Sequence, residues 1–264
     1  MRFLSTPEQI ITCSGDPLRG PPRRPANLCA QVPRGQRPAS RVGGGKVVVT
    51  QYDAEARTVG AAVTPGPRLV VIGSTSFWGA DSLPLCEAIA ADLAGVAALV
   101  AMTGGMDGVG LTFGRAFAAA RRAAGRPENL FHLLPRGMGT CDNGVTLGAG
   151  SDYHDRREVL GRVGHAYLVI EGGPGTVHEA AVAACRGVPV IPLGRTGGHA
   201  GELHPQVRCP TGLPADDWDL LADAGAPHER VVSAVGRLVR LALAQHAEPP
   251  AAAARGRRWS FWGS

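Results

Sequence analysis

A chain of 264 residues that is 44% hydrophobic is long enough and apolar enough to fill one core, which excludes a wholly disordered chain. Its formal charge of +5 invites a nucleic-acid reading, but the charge sits at the ends. Residues 1–46 hold eight Arg or Lys against two Asp or Glu, residues 247–264 hold three Arg against one Glu, and the stretch between them carries −3. Basic ends on an acidic body argue against nucleic acid as the principal partner. No apolar run approaches the roughly 18 residues of a membrane helix, so no membrane partner is expected. Six scattered cysteines without a C-x-x-C pair suit a reduced compartment with unpaired thiols, Cys185 being a small core residue. The expected location is cytoplasmic, and the Arg-rich, acid-poor N-terminus leaves organelle import open.

Residues 14–45 are rich in Pro, Arg and Gly and cannot bury enough apolar surface to offset ordering entropy. We therefore expect a disordered segment over 1–45, one domain over 46–246 and a flexible basic tail over 247–264. Val47 to Thr50 and Val59 to Val63 read as the arms of a short hairpin. Leu69-Val70-Val71-Ile72-Gly73 is a continuous apolar run, as expected of a strand buried on both faces. A helix follows over 81–94, with Asp81 or Ser82 as cap and Leu83, Leu85, Ile89 and Leu93 on its apolar side. Ala97 to Met102 reads as a strand, 111–124 as a helix and Leu130 to Leu134 as a strand. Residues 154–163 and 176–186 read as helices on either side of a strand from Ala166 to Ile170. A strand over 188–193 and a helix over 228–246 complete the pattern. Strands and helices alternating at this spacing predict an α/β, Rossmann-like, doubly wound parallel sheet with helices on both faces, in a single domain.

Two glycine-rich turns each follow a strand and precede a helix: Thr103 to Gly110, and Glu171-Gly172-Gly173-Pro174-Gly175-Thr176-Val177-His178-Glu179. At such a place backbone N–H groups point outward from the helix start and carry part of the helix dipole, which makes an anion site. Ser74, Gly104, Gly105, Gly172, Gly173, Gly175 and Thr176 are the candidate phosphate-binding residues. Thr176 also reads as the helix cap, and Glu179, three residues on, equally completes a capping box. Other phosphate and nucleophile motifs are missing. Lys46, the single lysine, is followed by Val47, so no P-loop exists, and neither turn has G-x-G-x-x-G spacing. No G-x-S-x-G occurs. A pyridoxal phosphate enzyme needs a lysine, and Lys46 lies in a glycine-rich linker far from both turns, so no cofactor is expected. Asp152, His154 and Asp155 lack a metal-ligand signature, as do His199 and His204 in a Gly-rich loop, so no metal is expected.

The stretch from Tyr153 to Glu179 resembles the Lonely Guy family, cytokinin riboside monophosphate phosphoribohydrolases long mislabelled as lysine decarboxylases. The family signature P-G-G-x-G-T-x-x-E is matched from Gly172 through Glu179, with Glu171 in place of the proline, a carboxylate that would repel a phosphate at the turn unless it points away or pairs with an arginine. His154-Asp155-Arg156-Arg157 stands where the family has an H-E-R-K-like run, Arg156 lies 23 positions before Glu179, and His165 stands where an aspartate is common. Gly104 to Gly110 looks like the family's other glycine-rich loop, and the similarity covers roughly residues 67–195. The resemblance implies hydrolysis of a nucleoside 5′-monophosphate to a free base and ribose 5-phosphate, with Arg156 and Glu179 catalytic, in a homodimer. The plainer reading of Arg156 is a surface salt bridge, a role for which Arg157 and Arg162 are better suited. Trp78, after the first strand, is placed either to stack on a base or to pack on its neighbours. The alternative for the whole chain is a non-catalytic module that binds a nucleotide-derived ligand.

Overall fold

A computed structural model describes residues 50–246; the expectations for 1–45 and 247–264 lie outside the described residues. Eight helices and six strands follow one another in this range: α1 Gln51–Ala62, β1 Arg68–Gly73, α2 Ser82–Ala94, β2 Val100–Thr103, α3 Val109–Ala123, β3 Leu130–Leu134, β4 Val145–Gly148, α4 Tyr153–Val163, β5 Ala166–Ile170, α5 Pro174–Cys185, β6 Val190–Leu193, α6 Gly198–Leu203, α7 Ala215–Leu220 and α8 His228–His246. The strands form one sheet in the order β4-β3-β2-β1-β5-β6, and every pairing is parallel. This is the expected doubly wound α/β architecture.

Side chains alternate across the sheet with the two-residue period of a strand. Leu69 and Val71 of β1, with Leu168 and Ile170 of β5, pack under α2, α3, α7 and α8. Val70 and Ile72, with Tyr167 and Val169, pack under α1, α4, α5 and α6. Both faces are covered, which is why β1 and β5 read as unbroken apolar runs. Arg121 of α3 is buried as well; its guanidinium donates to the carbonyls of Val96, Ala97 and Leu99 and so ties α3 to the turn before β2.

Several sequence expectations are corrected. The expected hairpin arm from Val59 to Val63 is instead the end of helix α1 Gln51–Ala62, and Val47 to Val49 of the other arm lie outside the described residues. Thr50 and Asp53 form a capping box: Asp53 N–H donates to Thr50 Oγ1 at 3.3 Å and Thr50 N–H to Asp53 Oδ2 at 2.9 Å. Ala56 and Val59, three apart, are then buried on one helix face. β4 was missed because it is a four-residue edge strand with little burial, and α6 and α7 because each is six residues long. Leu83 is 43% exposed rather than apolar packing for α2. Cys185 is in a disulfide, not a free thiol, whereas Cys86, Cys141 and Cys209 are free.

Candidate functional site

The chain winds outward from β1 through β2 and β3 to β4, then returns to place β5 on the other side of β1. β1 and β5 therefore flank the point where strand order reverses. In open α/β sheets a ligand crevice lies there, outside the carboxyl ends of the strands. A cleft of about 470 Å³ occupies this position. Its floor is the end of β1 and its walls are the Gly104 turn, the start of α4 and the start of α5.

Of the predicted residues, Ser74, Gly104, Gly173, Gly175, Thr176, Arg156 and Glu179 line the cleft, and Gly105 and Gly172 do not. A Cβ on Gly105 would meet Cys141, Leu134 and His132, and one on Gly172 would meet Thr176. These two glycines shape their turns from behind. Thr176 is not the helix cap. Gly173 holds that position, Pro174 is the first helical residue, and no side chain caps the helix. The Thr176 hydroxyl donates to the Gly73 carbonyl at 3.1 Å and ties α5 to the end of β1. The α5 N-terminus thus opens on the cleft with its dipole unopposed by a capping side chain.

Arg156 and Glu179 face each other in the cleft wall, Nη1 to Oε1 at 2.7 Å, with side chains only 5% and 7% exposed. The capping-box reading of Glu179 and the surface-bridge reading of Arg156 both give way to this buried pair. Burial pushes the Glu179 carboxyl above its usual range, and Arg156, Arg157 and His178 draw it back only in part. Arg156 Nε is buried with no hydrogen-bond partner among the described residues. Gly104 makes room for this guanidinium, since a Cβ there would lie 2.8 Å from Arg156 Nη1. Tyr153 also lines the cleft, with the Arg156 guanidinium 5.9 Å from its ring centre.

Arg157 is a functional candidate that sequence reasoning passed over. It lines the cleft and lies against Gly175, where a Cβ would fall 2.9 Å from its Nε. The available signal was the third glycine of the turn, Gly175, which leaves space for a guanidinium at the helix start. Arg162 is not a surface bridge either. It is buried and pairs with Glu158 and with Asp53, the latter at 3.2 Å, so it joins α4 to α1.

Glu171, expected to crowd a phosphate, turns away from it. The residue is fully buried, with φ of +53°. Its carboxylate accepts from the Ser74 hydroxyl at 2.5 Å and from the N–H groups of Trp78 at 3.0 Å and Gly79 at 2.9 Å. Burial raises this carboxyl, but the bonds from Gly79, Ser74 and Trp78 outweigh it and hold it below its ordinary range. Ser74 therefore lines the cleft with its hydroxyl committed to Glu171. His165 is structural as well: Nδ1 accepts from Arg68 N–H at 3.1 Å beside β1.

A buried relay supports the Gly104 turn. Gly105 N–H donates to Thr103 Oγ1 at 3.0 Å, and that hydroxyl lies 2.7 Å from His132 Nδ1. His132 Nε2 lies 3.1 Å from Asn143 Oδ1, an acceptor, so Nε2 carries the proton and Nδ1 accepts from Thr103. Burial pushes the imidazole pKa down against the pull of Asn143 and favours this neutral form.

Among the described residues no group of three or more His, Cys, Asp or Glu is placed to hold a metal. Asp152 caps α4, and Asp155 accepts from Ser151 and Tyr52. His199 is in helix α6 and His204 in the turn after it, rather than in a loop. Among the described residues no helix is long and apolar enough to cross a membrane.

No family model matches the chain, and no curated protein does. Among solved structures it is similar to TM1055, a structural genomics target, at 26% identity over 53% of this chain and 81% of that one, with a TM-score of 0.44. It is similar to the molybdenum cofactor carrier protein of Chlamydomonas reinhardtii at 19% identity, over 67% and 99% of the two chains, with a TM-score of 0.41. A third is DNA processing protein A of Streptococcus pneumoniae, at 16% identity over 47% and 49%, with a TM-score of 0.36. The sheet order makes this chain Rossmann-like, and Arg156 with Gly172 to Glu179 carries its resemblance to the Lonely Guy family.

Proposed function

We propose that the cleft binds a nucleoside 5′-monophosphate and hydrolyses its N-glycosidic bond. The observation that carries this reading is the buried Arg156–Glu179 pair, set in the wall of a cleft that also receives the uncapped start of α5. The phosphate sits at Gly173 to Thr176, where backbone N–H groups and the helix dipole favour an anion, and Arg157 adds a cation beside Gly175. The ribose then lies toward Glu179. As the bond from C1′ to the base nitrogen breaks, its electron pair leaves with the base and the sugar takes on oxocarbenium character. The Glu179 carboxylate stabilises that charge and takes a proton from the attacking water, whose oxygen forms the new bond to C1′. A carboxyl that burial has made more basic suits that second task. Arg156 holds Glu179 in place through the 2.7 Å contact and adds positive charge to the cleft wall. The proton that Glu179 takes from water passes on to the departing base nitrogen, so the products are free base and ribose 5-phosphate and the carboxylate is regenerated. The resemblance to the Lonely Guy family supports the same reaction and also a homodimer, which light scattering of the full chain tests.

The decisive assay is chromatography of released base from AMP, other nucleoside monophosphates and isopentenyladenosine monophosphate. Release that disappears in Glu179→Gln is the expected result. Saturable nucleotide binding without release from any of them would replace this reading with the non-catalytic module.

A further inference from the structure

We infer that Trp78 is a stacking platform for a planar aromatic base and that Glu171 is the positioning residue that presents it. The inference rests on the nucleotide reading of the cleft and adds the part of the ligand that it selects.

Trp78 is 59% exposed, the most exposed of the large apolar side chains in the described residues, and it lines the cleft. An exposed indole is usually either mobile or folded back on its neighbours to remove apolar surface from water. Here the backbone beneath it is clamped. Glu171 accepts from the N–H groups of both Trp78 and Gly79 and from the Ser74 hydroxyl, so one buried carboxylate pins the loop at three points. Glu171 is itself fixed: its N–H donates to Thr196 Oγ1 at 2.9 Å, and its carbonyl accepts from Ala200 N–H at 3.0 Å. A non-glycine residue at φ +53° persists only where its surroundings over-determine it, and such residues gather at ligand sites.

The ring lies along the phosphate turn. A Cβ on Gly198 would stand 2.7 Å from Trp78 Cζ3, and one on Gly173 would stand 4.0 Å from Cη2. The indole therefore rests on one glycine and overhangs the residue that begins the phosphate site. The cleft's other aromatic ring, Tyr153, is engaged by Arg156. Trp78 is the open one, on a backbone pinned before the ligand arrives, and that pinning removes part of the ordering cost of binding. The chemistry it fits is a flat π-system joined through ribose to a phosphate. Purines are favoured over pyrimidines because a larger ring overlaps more of the indole.

Calorimetry on the full chain, carrying Glu179→Gln to prevent turnover, separates base from sugar phosphate. Trp78→Ala should weaken AMP binding about five-fold or more and leave ribose 5-phosphate binding unchanged, with Trp78→Phe restoring most of the loss. Glu171→Ala should repeat that pattern, with AMP weakened and ribose 5-phosphate retained. Unchanged AMP affinity in Trp78→Ala would overturn the platform. Equal loss of both ligands in Glu171→Ala would make that residue a structural prop for the whole turn and overturn its positioning role. If the parent protein binds neither ligand, the nucleotide reading fails first and the inference falls with it.

Discussion

The Arg156–Glu179 pair allows a prediction that depends on structure before chemistry. At 2.7 Å two unit charges attract by about 6 kcal/mol at an effective dielectric near 20, against about 1.5 kcal/mol in bulk water. Removing each ion from water costs several kcal/mol, so an intact buried pair adds little net stability, whereas breaking it strands a charge at a cost of about 3–5 kcal/mol. Arg156→Met and Glu179→Leu should each destabilise by roughly that amount, and the double variant by much less than their sum. In a body of this size the single changes lower Tm by about 6–20 °C. The cost of Arg156→Met should also shrink as pH falls, because burial already pushes the Glu179 carboxyl up and protonation removes the stranded charge. Urea unfolding of the four proteins at pH 7.5 and 5.5 measures all of this. Additive costs below about 1 kcal/mol each would mean a solvent-screened pair and would refute the burial argument.

Gly175→Ala places a Cβ 2.9 Å from Arg157 Nε and should weaken ribose 5-phosphate binding about ten-fold with a small change in Tm, since only a flexible side chain must move; calorimetry and thermal unfolding check this. His132 has its folded pKa lowered below 6.5, so the unfolded chain takes up the proton more readily. The stability that follows is complete above about pH 6.5 and is lost as pH falls below it, and urea midpoints in His132→Gln should show a weaker decline over that window than the parent protein. Thr50→Ala removes the α1 cap and should cost about 1 kcal/mol in a urea melt, and an unchanged midpoint would remove the capping box from the account of α1.

The amino-acid sequence alone determined the architecture wherever an element buries both faces or carries a strong boundary. β3 and β5 lie at the predicted residues and β1 adds only Arg68, because continuous apolar runs need no distant partner to be recognised. α8 runs over the predicted 228–246. The two glycine turns were legible from spacing, and the pairing of Arg156 with Glu179 across the cleft wall follows the 23-residue separation that the resemblance singled out. Apolar residues without a clean period misled at 59–63, where the local Thr50–Asp53 box outweighed the strand-like valines. β4 left no pattern because an edge strand with exposed ends lacks an apolar face.

Only tertiary structure decided which side of each turn a residue faces. Gly104 and Gly105 are adjacent, yet one accommodates Arg156 and the other backs onto His132. Thr176 left the capping role because β1 brought the Gly73 carbonyl within reach, 103 residues away. Glu171 looked like a charge against the phosphate until the loop after β1 supplied three donors from residues 92 to 97 positions earlier. Arg157 reaches the cleft because Gly175 lies beneath it. Local propensity and periodicity are written in neighbouring residues. The partner of a buried polar group is set by which strands lie side by side, and here the reversal of strand order at β1 and β5 made that choice.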